Sequence, residues 1–217
     1  MRVKICGLMH PEQAQAIARI GVHGLGFICV PGTARYVDNM HLRGIIAQLP
    51  PFVERVGVFA DADIETIYET VTTTGLSALQ LHGRESPEFC AALAQRLPGI
   101  ALIKAIRIRG VEDLNQLQPY QGYVQAVLLD AYHPDQLGGT GRTIAWEWLK
   151  DFRPGLPWIL AGGLKPENLD EALSVVQPDA IDLSSGVENR PGDKDLGRVA
   201  QVVRILQNHE RKQARTP

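Results

Sequence analysis

Short apolar, β-branched runs alternate along the chain with longer segments whose apolar residues recur three or four positions apart, a pattern of strands separated by crossover helices. The apolar runs are Val3-Ile5, Gly24-Ile28, Val53-Phe59, Ala78-Leu81, Ala101-Lys104, Ala126-Leu129, Trp158-Leu160 and Ala180-Leu183. Between them, Pro11 to Ile20, Ile64 to Thr73, Pro87 to Leu97, Pro166 to Val176 and Leu196 to Gln207 have helical spacing, several with a proline at the helix start. Strands apolar on both faces suit a parallel sheet covered by helices, and parallel neighbours need such crossovers. Eight βα units with no linker between them predict an α/β protein, a single (β/α)8 TIM barrel over residues 1–208. A frayed polar C-terminal tail is expected over 209–217, where Arg211, Lys212 and Arg215 fall. An open doubly wound sheet would announce a G-x-G-x-x-G turn after its first strand, and Cys6-Gly7-Leu8-Met9-His10-Pro11 is not one. A faint internal echo, Ala78 to Gly83 against Ala180 to Gly186, agrees with a repeated βα unit.

Composition narrows the function without changing the fold. The 217 residues are 45% hydrophobic and 21% charged, with a formal net charge of −2. That balance lacks the basic stripe of a nucleic-acid binder. No apolar run approaches the roughly 18–20 residues of a membrane helix, and the chain opens on the strand-like Val3-Lys4-Ile5-Cys6, so a cytoplasmic protein is expected, with no membrane partner. Cys6, Cys29 and Cys90 are widely spaced, which indicates neither a disulfide framework nor zinc. His10, His23, His41, His133 and His209 show no ligand spacing, so no metal is expected. The oligomeric state stays open between monomer and homodimer.

In such a barrel the active site is built from loops at the C-terminal ends of the strands, and a phosphate commonly sits between the loops after strands seven and eight. Those strands end in Ala161-Gly162-Gly163-Leu164 and in Ser184-Ser185-Gly186-Val187, small residues whose backbone N–H groups can approach an anion. Taken singly, either loop could equally be a tight turn; together they predict a phosphate cradle. Cys6, Arg35, Gln80, His82 and Asp130 lie at or after the ends of other strands and converge on the same mouth, His82 as a pocket-lining residue. A thiol and a carboxyl there could act as base and acid, if the surroundings lower a thiol pKa from about 8.5 and raise a carboxyl pKa from about 3.9. Cys6 could instead be a buried small hydrophobe, as Cys29 and Cys90 are read, and Asp130 a helix cap. Asp182, on the same face as Ser184, should point into the barrel as a structural acid. The loop holding Tyr132, His133, Pro134 and Gly138-Gly139-Thr140-Gly141 is long enough to close over the mouth, or is simply a surface loop.

These blocks resemble the phosphoribosylanthranilate isomerase family. The resemblance rests on Lys4-Ile5-Cys6-Gly7-Leu8, Gly26-Phe27-Ile28 with Arg35-Tyr36-Val37, Val56-Gly57-Val58-Phe59, Leu79-Gln80-Leu81-His82-Gly83, Leu129-Asp130 with the glycines at 138–141, Gly162-Gly163-Leu164 with Asn168, and Asp182 to Glu188 with Pro191-Gly192, Lys194 and Asp195. It spans nearly the whole chain and implies a cofactor-free Amadori rearrangement in tryptophan biosynthesis, acting on a small phosphorylated substrate. By the resemblance Cys6 matches the general base, Asp130 the general acid and Arg35 the arginine that pairs with the anthranilate carboxylate. Gly162, Gly163, Ser184, Ser185 and Gly186 match the phosphate loops. Thr33 and Cys29 depart from the serine and the aromatic residue usual at their positions. Two rivals differ in what they leave unused. An aldose-ketose isomerase of histidine biosynthesis needs two catalytic aspartates and gives Cys6 no task, and a non-enzymatic barrel would keep only the phosphate pocket.

Overall fold

A computed structural model describes residues 1–131 and 145–213. Eight parallel strands, β1 (Arg2–Cys6), β2 (Gly24–Ile28), β3 (Glu54–Phe59), β4 (Ala78–Leu81), β5 (Ala101–Ile108), β6 (Ala126–Ala131), β7 (Trp158–Leu160) and β8 (Ala180–Leu183), pair in sequence order and close as β8 returns to β1. The α-helices of the described residues are α1 (Pro11–Ile20), α2 (Asn39–Ile46), α3 (Ile64–Thr74), α4 (Pro87–Arg96), α5 (Pro166–Val175) and α6 (Leu196–Gln213). The closed eight-strand barrel is the one the hydrophobic pattern predicts. None of its described helices is long and apolar enough to cross a membrane.

Side chains alternate in and out along each strand. Ile5, Phe27, Leu79, Leu102, Leu129, Leu160 and Ile181 face outward into the large core shared with the helices. The opposite parity fills the barrel, where Ala105, Leu128, Ile159 and Ala161 form a small apolar plug. Above that plug the interior is polar: Lys4, Gln80, His82, Asp130 and Asp182 are all buried.

Departures from the sequence reading have local causes. Helix α2 was not predicted, although Asp38 accepts a bond from the N–H of His41 at 2.8 Å as its N-cap. Two crossovers are 3-10 rather than α-helical among the described residues, Val111–Tyr120 after β5 and Trp146–Leu149 before β7. In the first, Val111, Leu114, Leu117 and Tyr120 recur every three residues, the period of a 3-10 turn, and Pro119 withholds an N–H. The final helix continues to Gln213, so residues 209–213 are helical where a frayed tail was expected. It is pinned from the other end of the chain, as the Met1 amino group pairs with Glu210. The predicted lid, with Tyr132, His133, Pro134 and the glycines at 138–141, lies outside the described residues.

Candidate active site

One cavity opens at the C-terminal end of the barrel, and it is lined by all ten residues singled out from the sequence: Cys6, Arg35, Gln80, His82, Asp130, Gly162, Gly163, Ser184, Ser185 and Gly186. The strand period explains the convergence. Cys6, Gln80 and Asp130 share the inward parity of β1, β4 and β6, while His82 and Ser184 lie one step beyond β4 and β8 in that parity. Thr33 also lines the cavity, whereas Cys29 does not and faces a neighbouring groove, its thiol pushed up to about 12 by burial.

Cys6 is buried against β2 at a position where only glycine fits. A Cβ on Gly26 would lie 2.7 Å from Cys6 Sγ and 3.0 Å from its Cα. Gly26→Ala is therefore expected to overpack the site by about 1–3 kcal/mol and lower the melting temperature by roughly 2–12 °C, measured by thermal denaturation. An unchanged melting temperature would show that the β1–β2 pair relaxes freely.

Charge around the thiol is dense. One step below it on β1, Lys4 Nζ donates to Asp182 Oδ2 at 2.7 Å, with both side chains under 10% exposed. This pair gives Asp182 the structural part expected of it. Burial pushes the Asp182 carboxyl up against the pull of Lys4. On Lys4, burial works downward but is outweighed by Asp182 and Cys6, so the ammonium is held above its ordinary range. Burial likewise pushes the Cys6 thiol up, with Lys4 and Lys194 pulling it back. The base role calls for a lowered thiol; burial in a closed barrel reverses the sign.

Across the mouth, Gln80 Nε2 donates to His82 Nδ1 at 2.9 Å, which leaves the ring proton on Nε2. That Nε2 lies 3.2 Å from Asp130 Oδ2, but among the described residues it makes no aligned hydrogen bond. Gln80 Oε1, His82 Nε2 and Asp182 Oδ1 are buried without hydrogen-bond partners among the described residues. Buried polar atoms are normally satisfied, so three orphans around one cavity mark groups that a polar ligand would complete. Behind His82 the β4–α4 loop is fully tied. Lys104 Nζ donates to Glu85 Oε2 at 2.9 Å, to the Gly83 carbonyl at 2.8 Å and to that of Leu81 at 3.1 Å.

The rim after β7 and β8 is made of backbone. Gly162 and Gly163 have φ of +84° and +63°, a region open to glycine, and a Cβ on Gly162 would strike the Ala131 nitrogen at 2.4 Å. The Gly163 carbonyl is taken by Asn168 Nδ2 at 3.0 Å, while the N–H groups of both glycines find no protein acceptor among the described residues. Gly186 packs so close to the Leu164 carbonyl that a Cβ would sit 1.9 Å from it, so the two loops form a single small-residue rim.

Sequence reasoning gave no role to Glu188 and Lys194, which a two-stranded hairpin, β9 (Glu188–Arg190) and β10 (Asp193–Lys194), places beside Arg35. Arg35 Nε and Nη2 lie 2.9 and 2.7 Å from the two oxygens of Glu188, and Lys194 Nζ is 2.6 Å from Oε1. The bond to Glu188 holds the Arg35 guanidinium up. Burial works upward on Glu188, but Arg35 and Lys194 outweigh it and hold the carboxyl below its ordinary range. On Lys194 burial wins and lowers the ammonium. The Pro191-Gly192 turn, with Gly192 at φ +83°, was the cue that could have revealed the hairpin.

Comparison with known proteins gives a consistent result. The family described as N-(5'phosphoribosyl)anthranilate (PRA) isomerase matches residues 3–205. The N-(5'-phosphoribosyl)anthranilate isomerase of Gloeobacter violaceus is 57% identical over 210 residues, 96% of this chain and 95% of that one. Among solved structures, phosphoribosyl anthranilate isomerase from Thermotoga maritima superimposes with a TM-score of 0.88 at 36% identity, covering 96% of this chain and 99% of its own. A phosphoribosyl anthranilate isomerase in complex with reduced 1-(o-carboxyphenylamino)-1-deoxyribulose 5-phosphate gives 0.84 at 34% identity, with the same coverages.

Proposed function

The chain belongs to the N-(5'-phosphoribosyl)anthranilate isomerase family, an isomerase of tryptophan biosynthesis, and from that premise we propose that Cys6 is its general base and Asp130 its general acid. The observation that carries this reading is the convergence of the Cys6 thiol and the Asp130 carboxyl, from β1 and β6, on a cavity lined by unsatisfied polar atoms and a glycine rim.

The chemistry follows from what each group can do. Asp130 gives a proton to the furanose ring oxygen, and the C–O bond opens to a Schiff base between the sugar and the aromatic amine. The Cys6 thiolate then takes the proton from the neighbouring sugar carbon, giving an enolamine that tautomerises to the ketone. One proton is delivered and one removed, so no redox cofactor is called for. The phosphate sits on the rim of Gly162, Gly163, Ser184, Ser185 and Gly186, held by backbone N–H groups. Gln80 and His82 offer their unsatisfied Oε1 and Nε2 to the sugar. Arg35 receives the anthranilate carboxylate through its planar fork.

The test is a fluorescence assay in which phosphoribosylanthranilate is formed in situ from anthranilate and phosphoribosyl pyrophosphate and its disappearance is followed. Turnover by wild type and its absence in Cys6→Ala would support the reaction and the base together. Binding of the reduced product analogue without turnover would leave a phosphate-binding barrel with no chemistry. For Arg35→Ala, loss of charge-assisted bonds worth about 1.5–3 kcal/mol should raise KM by roughly 10–100-fold with kcat kept, because a non-reacting carboxylate is held equally in ground and transition states. A dominant fall in kcat would remove Arg35 from this role.

A further inference from the structure

Glu188 collects the cations at the mouth. Its two oxygens accept from Arg35 Nε at 2.9 and 3.3 Å, Arg35 Nη2 at 2.7 Å, Lys194 Nζ at 2.6 Å and the Gly192 N–H at 3.1 Å. The Glu188 side chain is 3% exposed and that of Lys194 is fully covered. Two cations thus share one carboxylate where little water can screen them, and the cluster is one negative charge short of balance.

The geometry of a guanidinium says where that charge fits. The group is planar and has two edges suited to a carboxylate, one made by Nε and Nη2 and the other by Nη1 and Nη2. Glu188 takes the first edge. Nη1 has no protein partner among the described residues, and Arg35 lines the cavity, so the second edge is the one left for a ligand. The path of the arginine is fixed as well: its stem crosses Gly7, where φ is +79° and a Cβ would come 2.6 Å from Arg35 Cδ. Glycine beneath the stem and glutamate at one edge leave the fork a single direction to present.

We propose that Glu188 is a positioning residue: by holding one edge of Arg35, with Lys194 on the same carboxylate, it presents the other edge to the substrate's carboxylate and makes the site select an ortho-carboxylated arylamine over an uncarboxylated one. This rests on the reading of Arg35 given above. The selection is carried by orientation: the free edge meets the carboxylate only while Glu188 holds the other, and an uncarboxylated ring leaves that edge unpaired.

The experiment compares N-(5-phosphoribosyl)anthranilate with N-(5-phosphoribosyl)aniline on wild type, Glu188→Gln, Glu188→Asp and Arg35→Ala. The quantity read is the ratio of kcat/KM for the two substrates on the same preparation, which cancels any loss of folded enzyme. Glu188→Gln should lower that preference by roughly tenfold or more, carried by KM of the carboxylated substrate, and Glu188→Asp should recover part of it. An equal loss on both substrates would leave the ratio at its wild-type value, show that Glu188 only supports the fold, and overturn the proposal. If Arg35→Ala abolishes the preference while Glu188→Gln keeps it, the proposal fails and the reading of Arg35 stands. If Arg35→Ala keeps the preference, the reading of Arg35 fails and takes this proposal with it.

Discussion

Cys6→Ala should reduce kcat by about 10²–10⁴, the usual contribution of a general base and roughly 3–5 kcal/mol of barrier, with the barrel intact. The fold survives because the substitution removes one sulfur from the mouth, while the strands are held by the outward-facing core of Ile5, Phe27 and Leu129. Steady-state kinetics set beside a melting curve separates the two effects, and more than about a tenth of wild-type turnover in the variant would take Cys6 out of the base role. The pH dependence adds a second signature. Burial pushes the thiol up, with Lys4 and Lys194 opposing, and the base acts only when deprotonated. In wild type, kcat/KM depends on the product of the Cys6 thiolate and the protonated acid, so one limb of its pH profile should belong to this thiol. Cys6→Ala should lose that limb. A Cys6→Ala profile that keeps every limb of the wild-type one would mean that the group titrating in catalysis is not this thiol.

The pattern of apolar residues sufficed for the barrel because each strand is covered by helices on its outer face and by plug or mouth residues within, so strand and crossover are written separately in the sequence. Once the barrel is inferred, parity and strand ends gather Cys6, Gln80, His82, Asp130 and the glycine loops without further information, and the structure places all of them on one cavity. What escaped the sequence depends on distance in the chain or on burial. Glu188 meets Arg35 across 153 positions, through a hairpin whose strands have three and two residues, too short for a periodic signal. Gly26 looks like a weak spot in an apolar run until its neighbour is known to be the Cys6 thiol. The direction of the Cys6 shift is not legible in the sequence for a related reason. The nearby cations are readable from the motif, but the desolvation that outweighs them exists only when the barrel is closed.

Asp130→Asn should also lower kcat by about 10²–10⁴, yet it differs from Cys6→Ala in which step becomes slow. Asparagine keeps the shape of the side chain at the end of β6, next to His82 Nε2, so substrate binding and KM should change little. What it lacks is an acidic proton to give to the ring oxygen. Without that donation the furanose opens only through an unassisted alkoxide leaving group, and ring opening comes to limit turnover. Deuterium at the sugar carbon that loses its proton distinguishes the two roles. In Cys6→Ala, residual turnover is limited by proton abstraction and should show a full primary isotope effect. In Asp130→Asn the limiting step precedes abstraction, and the effect on kcat should fall toward unity. Equal isotope effects in both variants would mean that the two groups serve the same step, and the division into ring-opening acid and carbon-deprotonating base would have to be abandoned even if each substitution abolished activity.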